Sequence, residues 1–189
     1  MDELEEYAHT YHVPIMVPEG INYLTNYIKE NNVKSILEIG TAIAYSAIKM
    51  CMVDKDIHIT TIERDAKMYE EAIKNIKKFH MEDRINIIFK DALELEIDDS
   101  FDLIFIDAAK SQYINFFNKY SKFLKKDGTI ITDNLNFHGL RENVDSIQSK
   151  NLRSMMRKLN NYIDFLKDNK EFKTEFLNIG DGLGITKRV

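Results

Sequence analysis

Cysteine, proline, glycine and tryptophan are all scarce in this chain: one, two, seven and none among 189 residues. The single Cys51 has no internal partner for a disulfide. Its setting in Ala47-Ile48-Lys49-Met50-Cys51-Met52 predicts a buried structural thiol. So little Pro and Gly excludes extended linkers and low-complexity segments, and no repeat at solenoid spacing is present. No apolar run approaches the roughly 20 residues that cross a bilayer. The opening Met1-Asp2-Glu3-Leu4-Glu5-Glu6 is acidic and lacks the basic start of a signal peptide. These absences predict a cytoplasmic chain with no membrane contact. Excess base is missing too: the formal net charge is -5, which argues against indiscriminate polyanion binding but allows a local basic patch.

What is present suffices for a folded core. Hydrophobic residues make up 44% of the chain, which predicts one soluble domain over 1–189, with 1–32 as a helical segment packed on it. Apolar runs predict strands over 35–39, 57–62, 85–89, 101–106 and 128–132. Helical periodicity fills the gaps over 44–52, 65–79 and about 112–124. Strictly alternating strands and helices build a doubly wound α/β sheet, parallel and covered on both faces. The tail departs from this rule. A helix over 151–167 is followed by strands over 171–177 and 184–187, joined by Asn178-Ile179-Gly180-Asp181-Gly182. Strands joined that tightly are antiparallel. Ahead of the sheet, 5–12 and 18–31 read as helices, and Val13-Pro14-Ile15-Met16-Val17-Pro18 as an extended strap along the sheet's ligand edge.

Chemistry concentrates at the carboxyl ends of the strands. Phe101-Asp102-Leu103-Ile104-Phe105-Ile106 ends in Asp107, and Gly128-Thr129-Ile130-Ile131-Thr132 ends in Asp133-Asn134. Open α/β sheets bind ligands at these ends. Two carboxylates and an amide oxygen, with no thiol, suit Mg²⁺, with Mn²⁺ or Ca²⁺ as alternatives. Lys110 follows Asp107 closely and is a candidate base, since a nearby dication and partial desolvation favour a neutral amine. At the first strand, Leu37-Glu38-Ile39-Gly40-Thr41-Ala42 has a single Gly in place of G-x-G-x-x-G, which disfavours a pyrophosphate and favours a ligand with a carboxylate and a ribose. Glu63, closing the second strand, is placed to accept from two ribose hydroxyls. Asp91-Ala92, after the third, would border an adenine. His9 and His12 have no third ligand nearby, and His138 follows Asn134 without an assigned role.

These phrases carry a resemblance. From Val13-Pro14-Ile15 through Leu37-Glu38-Ile39-Gly40, Ile62-Glu63, Phe105-Ile106-Asp107-Ala108-Ala109-Lys110 and Thr132-Asp133-Asn134 to Ile179-Gly180-Asp181-Gly182-Leu183, the chain resembles the cation-dependent O-methyltransferases that use S-adenosylmethionine, a family that includes catechol and caffeoyl-CoA methyltransferases. The resemblance implies a Rossmann-like class I methyltransferase fold, a seven-stranded, mostly parallel sheet with one antiparallel strand. It implies Asp107, Asp133 and Asn134 as metal ligands and Lys110 as catalytic base. Val17, Glu38, Gly40, Thr41, Ser46, Glu63, Asp91, Ala92 and Asp107 would surround the cofactor. Within the family the chain is similar to the tRNA 5-hydroxyuridine methyltransferases of Gram-positive bacteria. That likeness implies a tRNA anticodon loop as partner, approached by Arg141, Lys150, Arg153 and Arg157, with a small catechol-like substrate as the alternative, and a homodimer. One departure is Ala44, where the family usually has Gly; its methyl would tighten the cofactor loop.

Overall fold

The computed structural model describes residues 2–136, 144 and 147–189, so His138 and Arg141 lie outside the described residues. The strands are β1 (Ser35–Ile39), β2 (His58–Glu63), β3 (Ile85–Phe89), β4 (Phe101–Ile106), β5 (Leu124–Thr132), β6 (Phe172–Leu177) and β7 (Leu183–Arg188). The helices are α1 (Asp2–Tyr11), α2 (Pro18–Glu30), α3 (Tyr45–Cys51), α4 (Ala66–Lys78), α5 (Tyr113–Tyr120) and α6 (Lys150–Asp168). Local chemistry sets several boundaries. Pro18 opens α2, and the Asp65 carboxylate caps α4 by accepting from the amides of Lys67 and Met68 at 2.9 and 3.0 Å.

One seven-stranded sheet runs in the order β3-β2-β1-β4-β5-β7-β6. Pairing is parallel throughout except that β7 is antiparallel to both β5 and β6, so a single strand is reversed, as the tail predicts. Both faces are buried, and β4 shows how: Leu103 and Phe105 join a core with α1 to α4, while Ile104 and Ile106 join a second core with α5 and α6. Period-two alternation buried on both sides is why these strands read as unbroken apolar runs. Cys51 is fully buried, as expected. Among the described residues no helix is long and apolar enough to cross a membrane.

The first helix starts at Asp2, ahead of the expected Glu5, and the boundary between α5 and β5 also differs from expectation. The helix predicted over about 112–124 is α5 flanked by 3₁₀ turns at Lys110–Gln112 and Ser121–Phe123, and Leu124 already belongs to β5. Tertiary contacts override the local helical period here. Leu124 pairs with Phe101, and Lys125 is held extended by Asp102 Oδ1 and Ser35 Oγ, both at 2.9 Å.

Candidate active site

The strand order reverses direction between β1 and β4, the crevice where open α/β sheets hold ligands. Parallel hydrogen bonding continues one residue past the strands. Gly40 donates to the Ile62 carbonyl, Asp107 to that of Ile39 and Asp133 to that of Ile106, each at 3.1 Å. The ladder thereby lines up Gly40, Asp107 and Asp133 along one edge. Gly40 has φ +101, and a Cβ there would sit 2.1 Å from the Asp107 carbonyl oxygen, so only glycine lets the two strand ends close together. Beyond this edge lies a cavity of about 530 Å³. The strap Pro14 to Val17 lines it, as do Glu63, Asp91, Asp107, Lys110, Asp133 and Asn134.

At the β2 side, Glu63 is fixed before any ligand arrives. Its Oε2 accepts from the Ala42 amide at 2.8 Å, and its Oε1 from the amides of Arg64 and Asp65 at 2.8 and 2.7 Å. The carboxylate is thus aimed, with about one lone-pair site, on Oε2, left for a hydroxyl. Asp91 accepts from the Leu93 amide and from Arg64 at the cavity mouth; these bonds hold its carboxyl below the usual range, the backbone bond first. Val17, Gly40, Thr41, Ser46, Asp91, Ala92 and Asp107 all line the cavity, whereas Glu38 does not. Glu38 is wholly buried behind the wall, where the Ser46 and Thr61 hydroxyls each donate to it at 2.5 Å. Burial pushes its carboxyl up to about 8, against the pull of those two bonds. Ser46 is the cavity residue to which it is bonded. Ala44 adopts φ 65 in the left-handed region at the start of α3, the backbone reason a glycine suits this place.

At the β4 and β5 side, the Asn134 amide nitrogen donates to Asp107 Oδ1 at 3.2 Å and to Asp133 Oδ2 at 3.0 Å. Both carboxyls are held above the ordinary range, first by burial; the charge of Asp181 acts in the same direction on both and that of Asp107 on Asp133, while Lys110 opposes them. A nitrogen bridging the buried Asp133 and the half-buried Asp107 carboxylates stands where a hard cation would neutralise both. Rotating the amide would present its oxygen to that cation. The donor set therefore fits a divalent ion, although among the described residues no three His, Cys, Asp or Glu side chains converge as a metal cluster. The ligand loop is braced from below. Tyr113 donates to the Asp133 carbonyl at 3.2 Å, and Tyr162 of α6 bonds the Thr132 hydroxyl at 2.8 Å.

Sequence reasoning did not identify Tyr45, Arg64, Lys90 and Asp181 as cavity residues. Asp181 carried a signal, since it sits between Gly180 and Gly182 in the β6–β7 turn. That turn is zipped to the ligand loop, Leu135 donating to the Gly182 carbonyl and Asn136 to that of Asp181 at 2.9 and 2.8 Å. Arg153, expected at the opening, instead donates both Nε and Nη2 to the Ile147 carbonyl at 3.0 and 2.6 Å.

Comparison with known proteins adds to this geometry. A family model described as O-methyltransferase matches residues 1–189. The chain is 28% identical to the caffeoyl-CoA O-methyltransferase of Populus kitakamiensis, covering 98% of this chain and 82% of that protein. In structure it is similar to a Staphylococcus aureus protein described as a "putative caffeoyl-CoA O-methyltransferase", at TM-score 0.96 and 40% identity, covering 100% of this chain and 91% of the other. An O-methyltransferase from Bacillus cereus in complex with SAH shares the fold at TM-score 0.85 and 21% identity, covering 100% of this chain and 90% of that one.

Proposed function

The chain belongs to the O-methyltransferase family and is an S-adenosylmethionine-dependent enzyme, and from that premise we propose that it methylates one of two adjacent oxygens on its substrate, the 5-hydroxyl of wobble 5-hydroxyuridine in tRNA. The observation that supports this reading is the shared cavity, with an aimed Glu63 at one end and Asp107, Asp133, Asn134 and Lys110 at the other. That second end is lined by carboxylates, an amide and the Lys110 side chain, which suits a polar heterocycle bearing neighbouring oxygens. In 5-hydroxyuridine these are the C4 carbonyl and the C5 hydroxyl.

Asp107, Asp133 and Asn134 would hold a divalent cation, Mg²⁺ by donor chemistry; Glu63 would hold the cofactor's ribose, and Asp91 and Ala92 would border its adenine. When bound, the cation supplies charge neutralisation for paired oxygens and S-adenosylmethionine supplies the methyl group. Lys110, on the cavity wall, would accept the hydroxyl proton. Gly40 leaves the approach open, and the strap Pro14 to Val17 forms one wall of the cavity. The protein's contribution is chiefly orientation and charge placement. Exposed Lys150, Arg157 and Lys158 on α6, which follows the ligand loop, offer phosphate contacts for RNA. A homodimer belongs to the same reading and is checked by sedimentation.

A small catechol or phenol is the second reading, favoured by the relatives named caffeoyl-CoA O-methyltransferases. Mass spectrometry of tRNA nucleosides from a deletion strain separates the two. Loss of 5-methoxyuridine with accumulation of 5-hydroxyuridine is expected; an unchanged profile assigns the enzyme to phenols.

A further inference from the structure

We infer that Glu5, on α1 and outside the cavity wall, is a positioning residue for the cofactor, acting as a latch on Tyr45. The Tyr45 hydroxyl donates to Glu5 Oε1 at 2.8 Å. Lys49 stands 3.8 Å from the same oxygen and 5.5 Å from the centre of the Tyr45 ring. Tyr45 is the first residue of α3 and lines the cavity, between the left-handed Ala44 and Ser46, whose hydroxyl is tied to Glu38. A buried phenol has to find a partner, and here the partner comes from a separate, N-terminal element. Leu4 and Ala8 anchor α1 in the core, and Glu3 pairs with Lys78 of α4. The Val13 amide then closes onto the Ala8 carbonyl at 2.9 Å, and the chain runs directly into the strap Pro14 to Val17 along the cavity. The Glu5–Tyr45 bond therefore ties the strap's helix to the start of α3, which bears Ser46 and directly follows the loop with Gly40 and Thr41. Opening it loosens two walls of the cavity together.

The inference rests on the cavity's taking S-adenosylmethionine, and calorimetric titration of the full chain with S-adenosylhomocysteine tests it without substrate or metal. Glu5→Ala and Tyr45→Phe should each weaken binding about threefold to tenfold, the span of one hydrogen bond's net worth. The double variant should bind no more weakly than either single one, since both remove the same bond. Glu5→Gln keeps an acceptor oxygen and should bind within twofold of the unaltered chain. Glu5 is half-exposed, so Glu5→Ala keeps the fold; melting curves without ligand check this. Unchanged affinity in Glu5→Ala, multiplying effects in the double variant, or equal losses in Glu5→Gln and Glu5→Ala would overturn the latch. Failure of the unaltered chain to bind S-adenosylhomocysteine would instead overturn the cofactor reading.

Discussion

Glu38→Gln should remove a pH dependence from stability without removing stability itself at mildly acid pH. Glu38 is wholly buried, and its carboxyl is raised from 4.5 to about 8. The folded protein therefore keeps a proton that the unfolded chain releases above 4.5. Stability is then highest below that point, falls as pH rises toward about 8, and levels off once both states are ionised. Over that window the loss is on the order of 5 kcal/mol, at about 1.4 kcal/mol per pH unit. Glutamine has the shape of the protonated acid and, like it, one acceptor oxygen and a donor on the other side. The amide oxygen can accept from Ser46 while the amide nitrogen donates to Thr61, whose hydroxyl turns toward Thr41, 2.6 Å away. Urea unfolding of both proteins at pH 5, 6.5 and 8 gives the difference between them, in which other titrating groups cancel. Glu38→Gln should match the native chain within about 1 kcal/mol at pH 5 and exceed it by several at pH 8. A difference that does not change with pH would refute the reasoning and show Glu38 ionised in the fold.

Gly40→Ala places a methyl against the Asp107 carbonyl at a positive φ; we expect a loss of about 2–5 kcal/mol in urea unfolding, and no S-adenosylhomocysteine binding by calorimetry. Asp133→Ala should abolish cation-dependent turnover, and the unaltered enzyme should lose activity in a chelator and regain it with Mg²⁺; full activity in chelator would sink the metal role. Because burial raises the carboxyls of Asp107 and Asp133, and the charge of Asp107 raises Asp133 further, Mg²⁺ affinity measured by calorimetry should rise from pH 6 to pH 8, with proton release on binding. Tyr162→Phe removes the bond to Thr132 beneath the ligand loop, at about 1 kcal/mol, and should lower Tm by roughly 2–4 °C in calorimetric scans.

Strand alternation, the reversed strand of the tail and the strap's course were legible because apolar period and turn chemistry are local properties of the chain. So were Asp107, Asp133-Asn134 and Glu63, since a polar residue ending a buried parallel strand has one place to go. The end of α5 was misjudged because 121–124 keeps a helical apolar period, and only pairing with Phe101 and the anchoring of Lys125 draw Leu124 into a strand. Glu38 shows the same limit within the site. Its position at a strand end is plain from the sequence, yet whether it faces a ligand or lies behind the wall depends on Ser46 and Thr61, which arrive from other elements. The Glu5–Tyr45 bond and the engagement of Arg153 likewise had no local trace. By itself the sequence determined the sheet, its ligand edge and the chemical class of the groups along it, because these follow from periodicity and donor type. Which of those groups face the cavity, and what holds them there, was decided only by tertiary structure, because burial and hydrogen-bond partners are set by residues far apart in the chain.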